Sequence, residues 1–215
     1  IQKKIEEIRD SINKDVELVA VSKTKSKKEI LEAYNAGQKV FGENKIQEMT
    51  LKYEELPKDI KWHMVGHVQS NKIKYMAPYV ELVHGIDSLK SVKILNKEAK
   101  KNNRVIKCLL QLKISDEFTK FGLSKIEIES ILNSINILGL KNINVAGIMT
   151  IGSFTENMNV VIKEFEKSKK IFNELKITFP NLKILSMGMS NDYKIAIKHG
   201  SNMIRVGSLI FGKRI

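Results

Sequence analysis

The feature that most constrains the fold of this 215-residue chain is an alternation of short apolar runs with amphipathic segments. Eight of the runs have the composition of β-strands, and apolar residues at helical spacing lie between them. Most of the eight are continuously apolar, which is typical of strands buried on both faces of a parallel sheet. The predicted strands span residues 16–22, 39–44, 61–66, 81–86, 104–114, 143–151, 182–189 and 203–208.

Helices are predicted between these strands, and one more precedes the first strand. The leading helix follows from Ile1, Ile5, Ile8 and Ile12, which recur at helical spacing. Gly37 and Pro57 mark helix ends, because glycine caps C-termini and proline breaks helices. The other helices are predicted over 28–37, 46–56, 71–79, Leu89 to Ala99, a segment that begins with the capping box Ser124/Glu127, Met158 to Leu175, and 192–200.

Two architectures accommodate this alternation of strands and helices. A closed (β/α)8 TIM barrel uses all eight strands and leaves none over. A doubly wound open sheet would need about five to seven strands and often a glycine-rich fingerprint. No G-x-G-x-x-G sequence follows the first strand, and no internal repeat or interdomain linker is found. We therefore predict an α/β protein with one TIM-barrel domain over residues 1–215 and an extra N-terminal helix.

Composition excludes several other classes of protein. The single cysteine, Cys108, excludes a disulfide framework and a multi-cysteine zinc site, and the four histidines lack metal-ligand spacing. We expect Cys108 to pack as a small apolar side chain and His63 and His84 to be packed polar groups within strands. His67 follows the third strand, at the end that can meet a ligand, or is a loop histidine. No apolar run reaches the about 18 residues that a membrane span needs, and no signal peptide is found, so we expect a cytoplasmic protein. The net charge is +13, but only four of the 37 basic residues are arginines, which does not favour nucleic-acid recognition.

Lys23 is the sharpest chemical candidate in the sequence. In a barrel, chemistry sits at the C-terminal ends of the strands, and Lys23 directly follows the first one. Desolvation and nearby cations lower the pKa of a lysine at such a position and free its amine as a nucleophile that can form a Schiff base with a carbonyl. The alternative is a lysine that reaches into solvent.

The ends of the last two strands predict an anion site. The loops after strands seven and eight commonly bind phosphate in barrels, and here they contain the sequences SMGMS (186–190) and GSLIFG (207–212). Arg205 lies inside the apolar eighth strand, so we expect it to face a ligand or a carboxylate such as Glu43. Together with Lys23 this indicates a phosphorylated carbonyl compound, either a sugar phosphate or pyridoxal 5′-phosphate (PLP).

Six motifs follow one another along the chain: AVSKTK (20–25), FGEN (41–44), WHMVGHVQSNK (62–72), GIM (147–149), SMGMSND (186–192) and IRVGSLIFG (204–212). With these motifs in this order, the chain resembles the pyridoxal phosphate homeostasis proteins over essentially its whole length. That family is similar to the N-terminal barrel of alanine racemase without the second, β-rich domain. Two departures from the family's usual pattern are Ser26, where proline is frequent, and Ser208, where threonine is frequent.

The resemblance implies a role for each candidate residue. Lys23 would hold PLP as a Schiff base, and Arg205 would face the pyridine nitrogen. Because arginine stays charged, that nitrogen would remain unprotonated, which disfavours carbanion chemistry. The phosphate would be held by Ser190, Gly207 and Ser208, and the rim of the cofactor would be lined by Asn44 and Met149.

The function expected from the resemblance is PLP binding in cofactor homeostasis, without strong catalytic turnover. PLP-dependent apoenzymes are the expected partners, and a monomer is expected because the racemase second domain, with its dimer contacts, is lacking. The first alternative is an amino-acid racemase, which needs an acid/base group on each face of the cofactor. A Schiff-base sugar-phosphate enzyme and a basic nucleic-acid-binding module are the remaining alternatives.

Overall fold

The eight apolar runs form eight parallel strands that pair in chain order around a closed barrel. This architecture comes from a computed structural model, which describes residues 1–114 and 122–212. The barrel closes where β1 pairs with β8, in a register that places Ala20 beside Val206. The strands are β1 (Glu17–Val21), β2 (Val40–Glu43), β3 (Lys61–Met64), β4 (Leu82–Ile86), β5 (Ile106–Leu112), β6 (Ile143–Thr150), β7 (Ile184–Ser186) and β8 (Met203–Val206). The predicted (β/α)8 barrel is confirmed.

Helices surround the barrel, and two of them begin with a complete capping box. Ser26 and Ser124 each accept a hydrogen bond from the backbone three residues on, and each forms a complete capping box with Glu29 or Glu127. Ser26, the departure from the family pattern, therefore has a structural role as a helix cap. The helices are α1 (Gln2–Asp10), α2 (Lys27–Asn35), α3 (Ile46–Glu55), α4 (Ile73–Met76), α5 (Leu89–Lys101), α6 (Lys125–Ile137), α7 (Met158–Thr178), α8 (Tyr193–Lys198) and α9 (Ser208–Phe211).

The extra N-terminal helix predicted from isoleucine spacing is confirmed as α1. Ile5 and Ile8 on its inner face are buried and belong to the main apolar core. Arg9 ties the same helix to the end of α2, because its guanidinium donates to the Ala36 carbonyl and to Gln38 Oε1. Packing of one apolar face, together with these two hydrogen bonds, therefore holds α1 against the barrel.

Two predicted elements are shorter in the structure. The seventh strand was expected over 182–189 but ends at Ser186, because Gly188 has φ +98° and turns the chain. A Cβ at Gly188 would lie 2.6 Å from Ala196 Cβ, so the turn also packs tightly against α8. The helix expected over 71–79 is a 3₁₀ turn followed by the single turn of α4, and Pro78 prevents its continuation.

The inside of the barrel is filled by side chains rather than open. An apolar cluster that includes Val19, Leu109 and Met149 occupies it. Cys108 is completely buried in β5, and burial raises the pKa of its thiol to about 12, so it packs as a small apolar side chain, as expected. Within the described ranges, no helix combines the length and the apolar character that crossing a membrane requires.

Candidate functional site

A cavity of about 580 Å³ opens at the C-terminal ends of the barrel strands. Its walls come largely from the segments that follow β1, β2, β3, β6, β7 and β8, which is where barrels carry their functional loops. The volume lies within the usual range for small-molecule sites. The cavity brings together these residues predicted from the sequence: Lys23, Asn44, Ser190, Arg205, Gly207 and Ser208.

Met149, predicted to lie at the rim of the cofactor, is placed differently. Its side chain is completely buried in the apolar cluster inside the barrel, and it is not among the cavity-lining residues. Asn44, in contrast, is half-buried and lines the cavity directly after β2. The parts that these two residues play toward a cofactor stay predictions.

Lys23 sits on a short loop whose backbone is fixed on both sides. Ser22 donates its N–H to the Gly42 carbonyl at 2.9 Å, which continues the pairing of β1 with β2 by one residue. Thr24 has φ +65°, an uncommon conformation for a residue other than glycine, and its N–H donates to Glu48 Oε1 at 2.6 Å. The position of Lys23 is therefore set by its two neighbours rather than left to a free loop.

A buried ionic cluster supports this loop from α3 and β2. Lys52 Nζ donates to Ser22 O at 2.8 Å and lies 2.7 Å from one carboxylate oxygen each of Glu43 and Glu48. Ser22 Oγ donates to the same Glu43 oxygen at 2.6 Å. Burial raises the pKa of Glu43, while the charge of Lys52 and the two hydrogen bonds act in the opposite direction.

Sequence reasoning missed the role of Lys52. Its position three residues after Met49, on the buried face of α3, was the available signal, because a lysine on an apolar face needs a partner. Of the two partners expected for Arg205, a ligand or a carboxylate such as Glu43, the same cluster excludes Glu43. Glu43 is neutralised by Lys52 instead, because its side chain points toward α3 and the β1 loop.

Arg205 is buried at the cavity with neutral hydrogen-bond acceptors. Its Nη1 donates to Ser186 Oγ at 2.8 Å, and its Nη2 donates to the Thr150 carbonyl at 2.9 Å. Burial lowers the pKa of the guanidinium to about 10, and the charge of Asp192 opposes that shift. Arg205 therefore remains a cation at neutral pH and brings a positive charge to the cavity.

Backbone donors converge near the last turn of the barrel. The N–H groups of Gly207 and Leu209 both donate to Ser190 Oγ, at 3.3 and 3.4 Å. They lie at the start of α9, so the amide dipoles there also favour an anion. A Cβ at Gly207 would lie 3.1 Å from the Val21 carbonyl, so a glycine lets β1 and this turn approach closely. The arrangement suits an oxyanion with several acceptor oxygens.

The histidines follow the sequence expectation only in part. His63 and His84 are buried polar groups inside the barrel, as predicted, but their contact with each other was not foreseen. His67, which was expected at the ligand-binding end, lies beside Asp87 with 3.2 Å between Nδ1 and Oδ2 and is not among the cavity-lining residues. In the part of the chain that the structure describes, no group of three or more His, Cys, Asp or Glu side chains could hold a metal ion.

Known structures place this barrel among PLP-related folds. PipY of Synechococcus elongatus, a structure with PLP bound, superposes with a TM-score of 0.90 at 31% identity and covers 98% of this chain and 99% of its own. An alanine racemase of Clostridium difficile has a TM-score of 0.76 at 16% identity, and the match covers 98% of this chain and 56% of the racemase. At that identity the racemase shares the fold of this barrel, without evidence on function.

Sequence comparisons give the family. The profile described as "Alanine racemase, N-terminal domain" matches residues 1–214. The pyridoxal phosphate homeostasis protein of Aquifex aeolicus is 38% identical over 202 residues, which cover 92% of this chain and 86% of the relative. That of Vibrio alginolyticus is 36% identical, with 100% of this chain and 97% of the relative covered. The chain therefore belongs to the alanine racemase N-terminal domain family and, within it, to the pyridoxal phosphate homeostasis proteins.

Proposed function

We propose that this protein binds PLP in the cavity at the C-terminal end of the barrel and serves PLP homeostasis as a carrier of the cofactor. The observation that carries the proposal is one cavity lined by a lysine amine, a buried guanidinium and a cradle of backbone N–H donors. Relatives that are 38% and 36% identical to this chain over their aligned residues are named for PLP homeostasis. A similar barrel at 31% identity contains PLP.

The side chains fit the three functional groups of PLP. When bound, PLP supplies an aldehyde that condenses with a primary amine, and Lys23 is the amine we assign to that attachment. The N–H groups of Gly207 and Leu209 would donate to the phosphate, with the hydroxyl groups of Ser190 and Ser208 beside them. Asn44 would contact the rim of the bound cofactor.

Arg205 is assigned to the pyridine nitrogen. A guanidinium can donate a hydrogen bond there but does not give up its proton at neutral pH, so the nitrogen stays an acceptor. A ring without a protonated nitrogen withdraws electrons from the attached carbon less strongly. Arg205 therefore favours holding the cofactor over using it for catalysis.

The racemase alternative requires a second acid/base group opposite Lys23. Among the described residues that line the cavity there is no tyrosine or histidine; of its two carboxyl side chains, Glu156 is exposed and Asp192 accepts a hydrogen bond from the Met189 N–H. Lys25 lines the cavity, but its Nζ donates to the Phe211 carbonyl at 2.9 Å and lies 3.3 Å from Glu29. A side chain held in this way is poorly placed to accept a proton from a substrate. We therefore propose that the protein has no strong catalytic turnover.

The organisation of the protein and its partners follow from the same assignment. We infer that residues 1–215 act as one PLP-binding barrel unit, supported by a family profile that spans residues 1–214. A cavity that opens at the end of the barrel lets bound PLP exchange with solvent or with a docked protein. PLP-dependent apoenzymes are the proposed recipients, and a monomer is the proposed state.

PLP titration of the purified protein tests the proposal. The parent and Lys45→Met, a control at an exposed lysine, should develop the absorption band of lysine-bound PLP with saturable affinity, whereas Lys23→Met should not. None of these three proteins should interconvert the alanine enantiomers. A normal band in Lys23→Met would refute the lysine assignment, and rapid racemisation would refute the carrier role. Borohydride trapping of a ketose phosphate, with no trapping of PLP, would favour the sugar-phosphate enzyme.

A further inference from the structure

A chain of hydrogen bonds crosses the inside of the barrel from Arg205 to the opposite strands. Arg205 Nη1 lies 2.8 Å from Ser186 Oγ, and Ser186 Oγ lies 3.2 Å from His84 Nδ1. His84 Nε2 then lies 3.1 Å from His63 Nδ1. The four residues belong to β8, β7, β4 and β3, so the chain connects strands that are distant in sequence.

One set of directions gives every donor in this row of hydrogen bonds an acceptor. Arginine can only donate, so Ser186 Oγ accepts from Arg205, and among its described contacts His84 Nδ1 is the acceptor available for its own hydrogen. His84 Nδ1 is then an acceptor, and the proton of the neutral ring must sit on Nε2. That N–H donates to His63 Nδ1, so His63 carries its proton on Nε2 as well.

Burial keeps both imidazoles in the neutral form that this direction requires. His63 and His84 have exposed fractions of 2% and 0%. Desolvation lowers the pKa of His63 to about 3, with smaller contributions from Lys107 and Lys61. Desolvation also lowers the pKa of His84 well below its ordinary value, and the positive charge of Arg205 acts in the same direction.

We propose that His84 and His63 are positioning residues, which hold the Ser186 hydroxyl as an acceptor and thereby fix the Arg205 guanidinium at the cavity. This inference rests on the proposed function, in which Arg205 faces the pyridine nitrogen of PLP. These hydrogen bonds hold the guanidinium through the neutral Ser186 oxygen instead of a carboxylate. None of the hydrogen-bonded groups carries a negative charge that would cancel the positive charge of Arg205, so this charge acts on whatever occupies the cavity.

The first test measures the histidine tautomers in protein without PLP. Two-dimensional ¹⁵N–¹H spectra that correlate ring nitrogens with ring protons separate the two neutral tautomers, and His63→Asn and His84→Asn provide the assignments. Both rings should be neutral with the proton on Nε2 at pH 7. A proton on His84 Nδ1 would overturn the direction of the chain, whether or not the protein binds PLP.

The second test removes links of the chain in protein that retains Lys23. His84→Leu deletes the acceptor of the Ser186 hydroxyl, whereas His84→Asn keeps an acceptor oxygen near the position of Nδ1. We expect His84→Leu to shift the absorption maximum of bound PLP and weaken its binding on the order of tenfold, the loss associated with one buried hydrogen bond. His84→Asn should restore most of both properties.

Ser186→Ala keeps the test decisive if His84→Leu does not fold, because it removes one buried oxygen with little change in volume. It should shift the absorption maximum as His84→Leu does. Thermal unfolding distinguishes a merely structural role, in which stability falls while the absorption maximum of the bound fraction stays at the parent value. That outcome would refute the positioning role. If the parent protein bound no PLP, the proposed function would be refuted instead. The tautomer measurement would still test the directions of the hydrogen bonds between Arg205 and His63.

Discussion

At the scale of single residues, the proposed phosphate cradle depends on small groups rather than on basic side chains. Ser190 Oγ lies at 3.3 and 3.4 Å from the nitrogens of Gly207 and Leu209 and lines the cavity. Ser190 and Gly207 both line the cavity, so this hydroxyl and this amide are placed to contact a phosphate bound there. This explains how a chain with few arginines can bind a dianion, because backbone dipoles at a helix start supply the donors.

Ser190→Ala should weaken PLP binding without moving its absorption band. The loss of one hydroxyl donor should raise Kd about threefold to tenfold, corresponding to one hydrogen bond of about 0.5–1.5 kcal/mol. Equilibrium dialysis of PLP against parent and variant measures the change. Ser134→Ala on the outer helix α6 is the matched control. An unchanged Kd in Ser190→Ala would show that Ser190 does not contact the phosphate.

The residues that sequence reasoning foresaw are those that follow strand ends. Lys23, Asn44 and Ser190 come directly after apolar runs or in the adjoining loops, so barrel geometry alone places them at one mouth. The partners of buried charges could not be foreseen in the same way. Lys52 meets Glu43 only because α3 folds back on β2, and an ion pair between different elements leaves no periodic signal in the sequence.

At the scale of elements, helix α3 is the support of the loop that carries Lys23. It contributes Lys52 and Glu48 to the cluster, and these hold the Ser22 carbonyl and the Thr24 N–H, one on each side of Lys23. The loop therefore depends on packing of α3 against the barrel. Substitutions on this helix should affect both stability and cofactor attachment.

Lys52→Met should destabilise the fold strongly, because it leaves the Glu43 carboxylate buried without its cation. Breaking such a pair costs about 3–5 kcal/mol, whereas replacing both partners with apolar residues is often close to neutral. The double variant Lys52→Met/Glu43→Leu should therefore recover much of the loss in urea unfolding. If the double variant lost as much stability as the two single variants combined, the pair would not be coupled.

The order and type of the elements followed from the sequence, whereas their ends did not. β7 ends at Ser186 because Gly188 turns the chain. The side chain of Asn202 accepts a hydrogen bond from the Leu185 N–H and donates one to the Lys183 carbonyl. The apolar run continues past that point because Met187 and Gly188 remain buried after the strand has ended, whereas Met189 is exposed. Burial and strand pairing are different properties, and hydrophobic pattern reports only the first.

At the scale of the whole molecule, closure of the barrel places a polar chain inside an apolar interior. The count of eight strands predicted closure, because a barrel leaves no strand over. The count did not predict that inward-facing positions would bring His63, His84, Ser186 and Arg205 into one line. Strand register sets that alignment, and register is a property of the closed sheet.

The buried, neutral His63 and His84 should make the protein less stable in mild acid. The pKa of His63 falls from 6.5 in the unfolded chain to about 3 in the folded protein. Its contribution to the free energy of unfolding is therefore complete above pH 6.5 and is lost as the pH falls toward 3. For such a histidine, linkage gives a loss of about 2 kcal/mol in the free energy of unfolding between pH 7 and pH 5. The pKa of His84 is lowered as well, so His84 acts in the same direction. Urea unfolding at the two pH values measures it.

A matched pair of variants separates this effect from other titrating groups. His63→Asn removes the buried imidazole and should reduce the loss of stability between pH 7 and pH 5. His199→Asn, at the C-terminal end of α8, should keep most of the parent's pH dependence. Equal pH dependence in His63→Asn and the parent would contradict a neutral, buried His63.

The most direct test of the central assignment is to identify the lysine that attaches PLP. PLP-loaded protein is reduced with borohydride and digested, and the modified peptides are mapped by mass spectrometry. We predict one pyridoxyl group per chain, located on Lys23, although the chain has 37 basic residues. Stoichiometric modification of another lysine, with Lys23 unmodified, would contradict the proposed site.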